Sequence, residues 1–159
     1  MSNRKEINLV VQNVRSLFNV GSMFRCADVF GIDKIYLCGY TGFPPRDQIK
    51  KTALGAEEWI DWERKRQTLT LLKKLKKQGF QIVALETRLA AKQAGKMVKA
   101  LPKFKPKFPV ALVMGNEIKG ISKNVLALAD EIVEIPMHGK KDSLNVAIAA
   151  GIAMYELRN

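Results

Sequence analysis

The sequence predicts an α/β domain built on a mostly parallel sheet with helices on both faces. Three observations predict it. Five short apolar runs, at 6–11, 34–38, 80–85, 110–114 and 131–135, are nearly continuous rather than alternating, as strands buried on both faces should be. Helical stretches fall between them, and strands alternating with helices imply parallel crossover units. The 159 residues, 47% hydrophobic and 26% charged, suffice for one sizeable core, and no repeat, low-complexity stretch or linker divides them. Residues 1–159 therefore read as a single domain.

Each element has a local reason. After the first strand, residues 19–30 read as a helix stopped by Gly31. The strand at 34–38 runs into a loop over 39–46, where Gly42, Pro44 and Pro45 break any regular pattern. Residues 63–78 read as a basic amphipathic helix closed by Gly79. Leu69, Leu72 and Leu75 recur at helical spacing, and Arg64, Lys65, Arg66, Lys73, Lys74, Lys76 and Lys77 supply its charge. Lysines at 92, 96, 99, 103, 105 and 107, interrupted by Pro102 and Pro106, suggest a surface loop or a short helix near 96–101. The final helix is expected over 145–157 and is apolar on most of its surface.

Composition narrows the function. A net charge of +12, from 27 Lys and Arg against 15 Asp and Glu, favours a polyanionic partner over a neutral metabolite. No apolar run reaches the roughly 20 residues that span a bilayer. The leading residues carry no signal-peptide pattern. Cys26 and Cys38 lack metal-ligand spacing and the chain has one histidine, so no metal is expected. With no export or disulfide signal, the cytoplasm is the expected location.

Three strand ends carry unusual polar residues, and ligands in open α/β sheets bind at the carboxyl ends of strands. The first is Asn13-Val14-Arg15-Ser16-Leu17-Phe18-Asn19-Val20-Gly21-Ser22-Met23-Phe24-Arg25. Asn19, Ser22 and Arg25 are spaced three apart, and Arg25 among apolar neighbours suggests a paired or phosphate-directed guanidinium. The second is Met114-Gly115-Asn116-Glu117 with Gly120-Ile121. It lacks the Gly–Lys–Ser/Thr order of a phosphate-gripping P-loop. The third runs from Ile135-Pro136-Met137 to Ser143-Leu144-Asn145-Val146-Ala147, a strand end, polar loop and helix start where Ser143 or Asn145 is also a candidate helix cap. His138 is expected to be a loop residue rather than a base.

Together, in this order and spacing, the three segments resemble the signature motifs of the SpoU/TrmH family of RNA ribose 2′-O-methyltransferases, within the SPOUT class. The resemblance implies a C-terminal deep trefoil knot, which general topology rules would not suggest. It implies S-adenosylmethionine as cofactor, with contacts falling on Leu85, Thr87, Gly115, Ile135, Met137, Ser143 and Leu144. It implies a homodimer with the site beside the interface, for which Ile148, Ile152 and Tyr155 are candidate contacts. Catalysis would rest on Arg25, with Asn19 orienting Arg25 or the ribose, and Glu117 positioning Arg25 or a loop amide. Ser143 and Asn145 would hold the substrate and the polar end of the cofactor. The expected substrate is RNA, tRNA before rRNA, bound without a separate RNA-binding extension. A non-catalytic RNA-binding protein of the same fold is the alternative, and an enzyme acting on a small nucleotide is another.

Overall fold

The computed structural model describes residues 4–159; residues 1–3, part of the leading segment read above, lie outside the described residues. Among the described residues seven strands form one sheet: β1 (Ile7–Gln12), β2 (Lys34–Cys38), β3 (Trp62–Lys65), β4 (Gln81–Leu85), β5 (Val98–Ala100), β6 (Val110–Met114) and β7 (Glu131–Glu134). Their order is β3-β2-β1-β6-β4-β7-β5, and every pairing is parallel. All residues of β1 and β6 are buried, the consequence of covering both faces of the sheet.

Among the described residues six α-helices complete the layers: α1 (Leu17–Val29), α2 (Asp47–Ala53), α3 (Thr68–Lys77), α4 (Arg88–Gln93), α5 (Lys123–Leu128) and α6 (Val146–Arg158). On one face Leu9, Val11, Ile35 and Leu112 of the sheet pack with Met23 and Phe24 of α1, Ile49 of α2 and Met154 of α6. On the other, Val10, Ile82, Ala111 and Val113 pack with Leu72 of α3, Ala91 of α4 and Val125 of α5. The two cores alternate along each strand because successive side chains point to opposite faces.

Two expectations need correction. The basic helix over 63–78 is really a strand followed by a helix. Residues Trp62–Lys65 pair with Ile35–Cys38, and the helix starts only at Thr68. An edge strand is free to carry charge: Lys34 and Lys65 both pair with Glu63, which guards the open edge. Of the leucines assigned to the helix, Leu72 and Leu75 are buried and Leu69 is only partly so; Leu71 is the further buried member. The lysine-rich stretch also contains a strand, Val98–Ala100, paired with β7 at the opposite edge. There Lys99 pairs with Glu131. Both additions are edge strands whose charge hides them from an apolar-run criterion.

The order of strands positions the site. β4, β6 and β7 are neighbours, so the loops that leave their carboxyl ends converge although they lie far apart in sequence. Among the described residues no helix is long and apolar enough to cross a membrane.

Candidate functional site

A cavity of about 720 Å³ opens where β4, β6 and β7 end. Its floor is Leu85, Met114 and Gly115, and its walls come from 86–90, 116–120, 134–137 and 142–144. That volume suits a small-molecule ligand, typically held in about 300–1,000 Å³. All seven residues assigned to the cofactor line it: Leu85, Thr87, Gly115, Ile135, Met137, Ser143 and Leu144.

The loop after β6 is shaped by glycine. Asn116 and Gly120 exchange backbone hydrogen bonds of 3.0–3.1 Å, closing a tight turn over Glu117–Lys119. A β-carbon on Gly115 would lie 2.5 Å from the Ile121 nitrogen and against the Gly120 backbone, so this strand end accepts no side chain. Glu86 ties the turn to β4: Ile121 N donates to its Oε1 at 2.8 Å, and Thr87 N donates to its Oε2 at 2.9 Å. Thr87 then caps α4, its hydroxyl accepting from Ala90 N at 3.2 Å. Across the cavity rim Arg88 pairs with Glu134.

Asn116 is buried, and its side chain uses both ends. Its Oδ1 accepts from Ile118 N and Lys119 N, while Nδ2 donates to Asn13 O at 2.8 Å and Tyr40 Oη at 2.9 Å. Glu117 faces the start of α1, a helix with no acidic residue of its own in the first turn. Its carboxylate accepts from Arg15 N at 3.0 Å, Ser16 N at 2.9 Å and Asn19 Nδ2 at 3.2 Å. An anion there satisfies free amides and complements the helix dipole. Partial burial opposes ionisation of Glu117. The backbone amides of Arg15, Ser16 and Glu117 itself, with the Asn19 amide, outweigh it and leave its pKa below the ordinary value.

That depression has a pH consequence. A carboxylate with a lowered folded-state pKa stabilises the fold above its unfolded value, about 4.3, and loses that contribution as pH falls through the folded value. The stability difference between the protein and Glu117→Gln should be full at neutral pH and close in acid. Urea midpoints measured from pH 7 to pH 3 check this; a difference independent of pH would remove the ionised brace.

The network continues into the C-terminal segment. Asn19 Oδ1 accepts from Asn145 Nδ2 at 3.1 Å, and Asn145 Oδ1 caps α6 by accepting from Ala147 N and Ile148 N. Such a cap is worth about 1 kcal/mol. Glu117, Asn19 and Asn145 thus form a chain of polar contacts joining all three sequence segments. The Asn145 cap is visible directly, whereas Ser143 makes no cap and stands exposed at the cavity.

Asn19 and Asn145 also line a second, shallower groove between α1 and α6, with Ser22, Cys26, Ile148, Ile152 and Tyr155. Ile148, Ile152 and Tyr155 are exposed there. The two hollows lie on either side of the first turn of α6, since Val146 and Ala149 line one and Ala147 and Ile148 the other.

Arg25 lies in neither hollow. It is exposed on α1 and forms no hydrogen bond or ion pair among the described residues. The residues three apart do not form one cluster: Asn19 and Ser22 face the α6 groove, but Arg25 is turned past it because three residues advance a helix by only 300°. Glu117 accordingly holds amides and Asn19, not Arg25. Asn116 belongs to the second motif and lines the cavity, whereas Glu86 is the organising residue that the sequence reading left out of the site. The position of Glu86 immediately after an apolar strand was the available signal.

The SpoU rRNA Methylase family model matches residues 6–155. The tRNA (guanosine(18)-2′-O)-methyltransferase of Aquifex aeolicus is 31% identical over 96% of this chain and 69% of its own length. A 23S rRNA (guanosine-2′-O-)-methyltransferase of Vibrio parahaemolyticus is 30% identical over 93% of this chain, which spans only 57% of that relative. The AdoMet-bound rRNA methyltransferase structure from Sinorhizobium meliloti superposes with a TM-score of 0.86 at 29% identity, covering 99% of this chain and 58% of that one.

Proposed function

Because the chain belongs to the SpoU rRNA methylase family, we propose that it transfers a methyl group from S-adenosylmethionine to a ribose 2′-hydroxyl of RNA. The carrying observation is the cavity at the ends of β4, β6 and β7, which gathers every residue assigned to the cofactor. Its donor set suits that group: Ile135, Met137 and Leu144 give apolar walls for an adenine, and the loop backbones beside the bare Gly115 can read its edge. When bound, the cofactor supplies a methyl group already activated by a sulfonium. The protein's own work is alignment and charge.

Ser143, exposed at the cavity mouth, is the side chain nearest in role to a substrate or cofactor contact. Glu117 and Asn19 fix the start of α1, the helix that carries Arg25. Arg25 anchors a phosphate beside the reacting ribose and lowers the cost of developing charge on the hydroxyl oxygen. A charged guanidinium has no acceptor, so proton loss goes to water rather than to Arg25.

The assembly is a homodimer that buries the α1–α6 groove. The exposed Ile148, Ile152 and Tyr155 support it, and the groove's place across one helical turn from the cavity sets the site beside the interface. A second copy docked there also offers an exposed arginine on α1 a way to approach a cavity it does not reach within its own chain. Ile148→Asp should yield a monomer by light scattering with unchanged helix content; a variant that stays dimeric would place the interface elsewhere.

The single seven-stranded sheet supports one catalytic domain, with the loops after β4, β6 and β7 lining one cavity and the C-terminal segment forming the knot expected of the family. The compartment is cytoplasmic and the substrate tRNA or rRNA, since relatives named for each align over more than nine-tenths of the chain. tRNA is the class to test first. Labelled methyl groups should pass from S-adenosylmethionine to unmodified tRNA or rRNA. Retention of RNA without transfer would favour a non-catalytic binding protein.

A further inference from the structure

Tyr40 is an aromatic residue held at both ends and left in solvent. Its backbone nitrogen donates to Asn13 Oδ1 at 3.1 Å, and its phenol oxygen accepts from Asn116 Nδ2 at 2.9 Å. It is nevertheless 58% exposed. Neither anchor arises from core packing, and no other ring pairs with it among the described residues. Asn116 lines the cavity, so the tip of Tyr40 stands one hydrogen bond from the cavity wall.

The surroundings of Tyr40 are basic. Parallel pairing puts Cys38 of β2 beside Lys65 of β3, and Gly39 N donates to Lys65 O, so the residues after the two strands emerge together. Arg64 and Arg66 are exposed on that side, and Arg15 on the side of β1. The guanidinium of Arg64 lies 4.7 Å from the centre of the Phe43 ring, a cation–π contact that limits its freedom. The carboxyl edge of the sheet thus runs from the cavity past Tyr40 to an exposed arginine held over the Phe43 ring.

We propose that Tyr40 is a stacking platform for an unpaired RNA base flanking the nucleotide whose ribose enters the cavity, with Arg64 and Arg66 carrying the adjoining phosphates. This rests on the RNA reading above. A pre-held ring loses little freedom on binding, and stacking on it accepts any base, so Tyr40 selects unpaired RNA near the target rather than a sequence. Helical RNA keeps its bases stacked on one another and has no face to offer.

The test compares a mixed-sequence single-stranded RNA decamer with an abasic ribose-phosphate decamer of equal charge, by fluorescence anisotropy at fixed salt. The proteins are the full chain, Tyr40→Ala, Tyr40→Phe and Tyr40→Trp, each checked for S-adenosylmethionine affinity. Tyr40→Ala should lose about ten-fold in affinity for the base-bearing decamer and nothing for the abasic one. Tyr40→Phe and Tyr40→Trp should keep the difference. Equal losses in Tyr40→Ala and Tyr40→Phe would make Tyr40 a brace for Asn116 and overturn the inference, as would an unaffected Tyr40→Ala. If the unmodified protein binds neither decamer and no structured RNA, the RNA reading itself falls.

Discussion

Replacing Arg25 by alanine should lower methyl transfer by about 100-fold or more and leave S-adenosylmethionine affinity unchanged. The magnitude is that of removing a charge-stabilising group from an active site. The separation of effects follows from position. Arg25 is exposed on α1, outside the cavity proposed to hold the cofactor, so its loss leaves that cavity intact. It is not engaged in the fold through any hydrogen bond or ion pair among the described residues, so stability should also hold. Arg25→Lys keeps the charge but not the forked geometry and should recover only part of the activity. Calorimetric cofactor binding alongside single-turnover transfer measures both terms. Near-normal turnover in Arg25→Ala would remove Arg25 from the mechanism.

Gly115→Ala should act in the opposite way, losing the cofactor first. The added β-carbon would sit 2.5 Å from the Ile121 nitrogen and against the Gly120 backbone. Backbone cannot rotate aside as a side chain can, and the turn is further held by the Asn116–Gly120 hydrogen bonds and by Glu86 on Ile121 N. Relief requires displacing the 116–121 loop, which forms one wall of the cavity. Overpacking of this kind costs about 1–3 kcal/mol in stability, and cofactor affinity should fall by at least about ten-fold. Gly139→Ala is the control, since its β-carbon would meet nothing within 4 Å. Thermal melting with and without S-adenosylmethionine compares the two variants. A Gly115→Ala protein with the parent's ligand-induced shift would refute the close approach.

The sequence was most informative where burial is uniform. β6 matches its apolar run residue for residue, because a strand buried on both faces tolerates few polar residues; β2 matches too, although Lys34 and Tyr36 are only partly buried. It was least informative at the edges. β3 and β5 carry Glu63, Lys65 and Lys99, and charge at an open edge erases the apolar signal. The short helices α2, α4 and α5, of six or seven residues, are too brief to show a period. The seven residues that the family resemblance assigns to the cofactor line one cavity because they lie at the ends of neighbouring strands. The contacts of Glu86 on Ile121 and of Asn116 on Tyr40 join residues 35 and 76 positions apart, and only the strand order brings them together. Arg25 shows the remaining limit: its motif marks it as chemical, whereas its place on the outer side of α1 follows from helix phase.

The central claim is methyl transfer to a ribose oxygen, and the product states it directly. The RNA labelled by the protein with S-adenosylmethionine would be digested to nucleosides and analysed by mass spectrometry, with alkaline hydrolysis in parallel. Methylation of the 2′-oxygen places the added mass on the ribose fragment and leaves an alkali-resistant dinucleotide, because the blocked hydroxyl can no longer attack the neighbouring phosphate. Label on the base fragment, with complete alkaline cleavage at the modified position, would contradict the account.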